Sequence, residues 1–124
     1  MENLNQLLAH THPSGGSASD VQTLEQHSRQ VAELCAQACK GIQLMDLGYL
    51  TGRFHDMGKA ASQVQAHLRG ETAEKHNHSS AGMRWLWEHR LDTTAGCIAA
   101  QMGALAIGCH HSGRCDVFSL DGKE

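Results

Sequence analysis

Along most of this chain the apolar residues recur with the period of an α-helix. Thr23 and Gln26 stand in capping-box spacing, and Leu24, Val31, Leu34, Cys35 and Ala38 follow at helical intervals. The pattern predicts a helix that begins near Thr23 and stops at Gly41. A second helix is predicted over 43–57, with Leu44, Leu47, Leu50, Phe54 and Met57 as its core stripe. Gly48, Thr51, Gly52 and His55 fall on another face, where small side chains let a second backbone or a metal site come close. Residues 63–68 read as a short helical turn. Ser79 and Ser80 offer N-caps to a helix bearing Met83, Trp85, Leu86 and Trp87. The stretch 94–109 is small and apolar nearly all round, which predicts a central, buried helix ended by Gly113. Residues 3–10 form a short apolar-polar start, and 12–20 and 70–78 read as loops by composition. Strand-like alternation and internal repeats are both absent from the sequence. The expected fold is all-α, in one domain over 1–124.

Composition narrows the function classes. The formal charge of -3 supplies no basic field to draw in nucleic acid by itself. The longest apolar run, 97–109, is interrupted by Gln101 and is too short to span a membrane. The N-terminus carries Glu2 and no apolar segment of the signal-peptide kind. Five cysteines without a CxxC argue against a disulfide framework, and Cys35 and Cys39 read as small core residues. Together these features predict a soluble cytoplasmic protein in a reducing compartment. Ten histidines beside few aromatics change the picture, because imidazole is the commonest metal ligand.

Four places attach polar residues to apolar helices: His27, the pair His55-Asp56, His78 at a helix start, and His110-His111 at the end of the most apolar helix. Each lies on a different helix or helix end, which is how bundles assemble metal sites from inward side chains. Neighbours on a continuous helix point about 100° apart, so His55 and Asp56 are not expected to serve one ion from the same direction. Asp56 has two oxygens and can bridge two ions. Lys59, on the same face, is placed to hold a phosphate oxygen or to stabilise developing charge. A rival cluster of Cys109, His110, His111 and Cys115 matches no common structural-zinc spacing. His10, His12, His67, His76 and His89 read as surface or loop residues, with His76 the rival to His78 as a ligand.

The ordered set His27, His55-Asp56 with Gly58-Lys59, HSSAG over 78–82 and HHSG over 110–113 resembles the HD-domain nuclease of type I CRISPR systems. That nuclease accompanies the CRISPR-associated helicase. LLAH over 7–10, GKAASQVQAHLRG over 58–70 and SLDG over 119–122 resemble its connecting segments, so the likeness covers nearly the whole chain. The resemblance implies an HD-type helical bundle with a metal site between its helices. It also implies a metal-dependent DNase acting mainly on single-stranded DNA, in antiviral interference beside a helicase and a crRNA-guided complex. It makes His27 and His55 ligands of one ion, Asp56 the bridge, and His78, His110 and His111 ligands of a second. Lys59 would sit beside the scissile phosphate. Two-metal hydrolysis follows, with manganese, iron, cobalt or nickel suited to the imidazoles better than magnesium. An HD phosphohydrolase of nucleotides or small phosphate esters would use the same ligands, and a metal-binding domain without catalysis is the third reading. The family carries a further aspartate on a later helix, and this sequence ends at Glu124 with only Asp116 and Asp121 remaining. The first site is therefore expected to lack one ligand. A chain without the C-terminal helices also leaves the last helix poorly covered, which predicts a homo-oligomer or a marginal fold.

Overall fold

The computed structural model describes residues 6–10 and 21–111. Five helices form an all-α bundle: α1 (Leu24–Ala38), α2 (Met45–Phe54), α3 (Ser62–Leu68), α4 (Ser79–Glu88) and α5 (Thr94–Cys109). A 3-10 turn, Met57–Ala60, links α2 to α3. Among the described residues the only strand-like pairing is an antiparallel bridge between Leu8 and Thr23, and no helix is long and apolar enough to cross a membrane. The 12–20 loop, Gly113, Cys115, Asp116, Asp121 and the SLDG segment lie outside the described residues.

Local chemistry explains the boundaries. The Thr23 hydroxyl accepts from Gln26 N and the Gln26 side chain accepts from Thr23 N, so α1 starts on the expected capping box. It ends earlier than Gly41: Ala38 is its last residue, a 3-10 turn follows, and Gln43 takes the left-handed conformation. α5 has its expected bounds, with Thr93 Oγ1 capping Gly96 N at 3.0 Å. Ser79 and Ser80 are the first residues of α4 and not its caps. His78 holds the cap position, and Asn77 Oδ1 accepts from Ser79 N.

Packing departs from the apolar stripes. On α1, Leu24 and Ala32 are buried whereas Leu34 is 70% exposed. On α2 the buried positions are Gly48 and Gly52, while Leu50, and Met57 in the 3-10 turn that follows, lie partly in solvent. A Cβ on Gly52 would come within 2.7 Å of the Ala32 Cα, so the absence of a side chain sets how closely α1 and α2 cross. The Arg53–Glu25 ion pair at 2.6 Å clamps the same crossing. Nor is α5 central. It packs on α4 and α2 through Ala100, Gly103 and Ile107, and leaves Ile98, Met102 and Leu105 about half exposed. Phe54 stacks on Trp85 at 4.2 Å and joins the end of α2 to α4.

Candidate metal centre

α2 does not run through FHDMGK. It ends at Phe54, and the chain turns through Asp56 into the 3-10 turn. The break is tied to His55, whose Nδ1 lies 2.7 Å from the Gly52 carbonyl. The expectation that adjacent residues could not face one point therefore fails. His55 Nε2 and Asp56 Oδ2 are 3.2 Å apart. The turn also brings Lys59 Nζ to 2.7 Å from Oδ2.

Around Asp56, which is 2% exposed, the predicted residues converge. His27 Nε2 lies 3.2 Å from Oδ2. His78 Nε2 and His110 Nε2 lie 3.3 and 3.4 Å from Oδ1. His111 Nε2 lies 2.7 Å from His78 Nε2. Close packing brings His78 in: a Cβ on Gly58 would collide with the His78 backbone. The atoms of Asp56, His78, His110 and His111 lie within 4.8 Å of one another, as do those of His10, His27 and Asp56.

The hydrogen bonds fix which ring nitrogens face inward. A carbonyl oxygen can only accept, so Nδ1 of His55 donates to Gly52 and Nδ1 of His110 donates to Ile107 at 2.6 Å. Nδ1 of His27 donates to Gln22 Oε1 at 3.1 Å. In the neutral rings each Nε2 is then a lone pair. Those of His27 and His55 face each other across 3.2 Å. Two lone pairs so placed repel unless a proton or a cation lies between them. Asp56 Oδ1 is buried without a hydrogen-bond partner. A buried anionic oxygen left so is costly. A cation would answer both features, and the group fits a metal ion.

Electrostatics agree. Burial pushes the Asp56 carboxyl up, but the hydrogen bonds and charges of His55, in its protonated form, and of Lys59 outweigh it and hold the group well below the usual carboxylate range. Burial lowers His27 and His78, only partly offset by the Asp56 charge. Burial and the neighbouring His110 lower His111. His55 is the exception. Its burial is outweighed by Asp56 and the Gly52 carbonyl, and its pKa rises.

Lys59, expected beside a phosphate, is 6% exposed and engaged with Asp56 and with the Ala9 carbonyl at 3.0 Å. His76 stands apart from the cluster, 3.9 Å from Glu74. His67 and His89 bond backbone carbonyls of Thr72 and Trp85. His12 lies outside the described residues. His10, read as a surface or loop residue, is exposed, and its ring nevertheless lies beside the cluster. Its ring meets His27 edge to face at 4.7 Å. No apolar periodicity marks it; the available signal was LLAH, a histidine behind an apolar run. Cys109 is disulfide-bonded, which removes its thiolate from the rival zinc cluster. Cys35, Cys39 and Cys97 are free. Compared with family models, curated proteins and solved structures, the chain matches none.

Proposed function

We propose that this chain is a metal-dependent phosphodiester hydrolase of the HD type and, within it, a nuclease of single-stranded DNA that works in CRISPR interference. One observation carries the reading: a single buried carboxylate turns each of its oxygens toward a separate set of imidazole nitrogens. His27 and His55 would hold one divalent ion, His78, His110 and His111 a second, and Asp56 both. Bound there, such ions supply Lewis-acid polarisation of a phosphate ester and acidify water. The imidazole-rich donor set favours manganese, iron, cobalt or nickel over magnesium.

The chain's own residues have separate tasks. Lys59 fixes the carboxylate and compensates its charge from the buried side. Gly52, Ile107 and Gln22 orient the rings through Nδ1, so their Nε2 atoms are aimed before any ligand arrives. His111 is exposed and stands on the solvent side, where a substrate phosphate would approach. In this reading DNA comes from a crRNA-guided complex and its helicase, since the chain's charge of -3 draws in little by itself. The exposed apolar side of α5 suits an oligomer or such a partner.

A second reading has support in the cavity lined by His76, Asn77, His78, Ser79, Gly108 and His111. Its volume of about 290 Å³ is at the lower limit for ligand pockets and suits a nucleotide or other small phosphate ester. Both are tested on the manganese- or nickel-loaded chain, using a single-stranded oligonucleotide and a set of nucleotides and aryl phosphates. Cleavage of the oligonucleotide, lost with chelator and in Asp56→Asn, is the expected result. Turnover of the small esters alone would move the assignment to the second reading. A loaded chain that cleaves nothing would leave a metal-binding domain.

A further inference from the structure

The two oxygens of Asp56 are unequally served if only the residues named so far are ligands. Oδ1 faces His78 and His110, with His111 beside them. Oδ2 faces His27 and His55. We infer that His10 is a further ligand at the Oδ2 end, and that the backbone over 7–9 is held in place to deliver it. This inference rests on the reading of the cluster as a metal centre.

Three observations carry it. First, a donor atom of His10 lies within 4.8 Å of donor atoms of both His27 and Asp56. The His10 and His27 rings are nearly perpendicular, at 88°, an arrangement that lets both aim a nitrogen at one point. Second, the backbone before His10 is held from several sides. Ala9 N donates to Gln22 O at 3.0 Å and Leu24 N to Leu7 O at 2.7 Å. The Gln65 amide grips Leu8 at both ends, accepting from its N–H and donating to its carbonyl, each at 2.9 Å. Lys59 Nζ donates to the Ala9 carbonyl. Leu7 and Ala9 are buried against Leu24. A fully buried glutamine and a buried lysine are committed to holding this backbone. Third, the ties are shared with the centre itself. Lys59 joins Ala9 to Asp56, and Gln22 joins Ala9 to the His27 ring. The position of His10 is therefore set by the same residues that set its proposed co-ligands.

The test is a cobalt(II) titration followed by visible absorption and by metal content after dialysis. It compares the unaltered chain, His10→Phe and His78→Ala. Phenylalanine keeps the ring contact with His27 and cannot ligate. Should that variant unfold by circular dichroism, His10→Gln replaces it. The unaltered chain is expected to hold two ions. His10→Phe should hold one, with affinity at the lost site more than about 100-fold weaker, since disturbing even the partners of ligands costs about 10–100-fold. Its remaining spectrum should differ from that of His78→Ala, which keeps the opposite end. Unchanged stoichiometry, affinity and spectrum in His10→Phe would overturn the inference while leaving the metal centre standing. So would an unaltered chain with one ion that His10→Phe does not disturb. A chain that retains no cobalt would overturn both.

Discussion

The Oδ2 side of Asp56 is built at the tight crossing of α1 and α2, from His27 on α1 and His55 just past the end of α2, whereas its Oδ1 side is assembled from the ends of α4 and α5. At the first, both neighbouring rings are locked through Nδ1, and Lys59 shares the oxygen. At the second, His78 stands at the cap of α4 and His110 at the end of α5, and of the three rings only His110 is anchored through Nδ1 among the described residues. Beside it opens the cavity that His78 and His111 line. The same carboxylate thus meets one rigid and one accessible environment. Rigid positions suit permanent ligation, and the accessible one suits exchange with substrate.

The largest expected effect abolishes the difference between the two sides. Asp56→Ala removes the group they share and leaves Lys59 as a buried charge without its carboxylate. Breaking a buried pair in this way costs about 3–5 kcal/mol. A denaturant melt of the metal-free variant should show that loss, and metal analysis should show both ions gone. Normal metal content would end the view of Asp56 as a bridge.

The next substitutions separate the sides. Gly52→Ala pushes a Cβ against α1, and Gly58→Ala pushes one against the His78 backbone. Each should cost about 1–3 kcal/mol, the usual range for overpacking. Cobalt spectra should show the first variant altered at the His27–His55 end and the second at the His78 end. Equal disturbance of both ends by either substitution would deny that they are separate structural units.

Acid acts on both sides with a sign that can be worked out. His10, His27, His78 and His111 have lowered pKa values, mainly through burial. Around pH 6.5 and below, the unfolded chain binds protons at these groups that the fold refuses, so their contribution is lost as pH falls. His55, whose pKa is raised, acts oppositely and loses its contribution as pH rises. Four groups against one predict a metal-free protein that melts at lower temperature at pH 5.5 than at pH 7.5, by a modest amount because the rings are partly solvated. A flat or reversed profile would contradict the lowering of these four groups. The smallest effect belongs to His76→Ala, expected within about 0.5 kcal/mol and without change in metal content. His78→Ala should lose the Oδ1 ion, and the reverse order would exchange their roles.

Much of this was legible in the sequence where the signal is local. The capping box of Thr23 and the bounds of α5 depend on neighbours a few positions away, and the histidines around Asp56 were legible as polar residues attached to separate apolar helices. What was not legible depends on tertiary approach. α5 is apolar all round, yet α2 and α4 cover one side of it only. Leu34 and Leu50 fit a helical stripe, but glycines set the actual crossing of α1 and α2, and it lies on a different face. The end of α2 at Phe54 carries no Pro, and the Gly that follows comes only at position 58. His10 enters the cluster through hydrogen bonds to residues 50 and 57 positions away from its backbone neighbours, a distance no periodicity spans.

The placement of Lys59 has a kinetic consequence. Its ammonium is a counter-charge that belongs to the polypeptide and serves Oδ2 of Asp56 whether or not an ion is present, while Oδ1 stays without a hydrogen-bond partner. Folding can then run to completion before loading, with the rings already aimed. In the proposed metal centre, uptake and loss of an ion would reduce to ligand substitution on a finished scaffold. Their rates should track the water-exchange rate of the chosen cation and not the rate at which the chain folds.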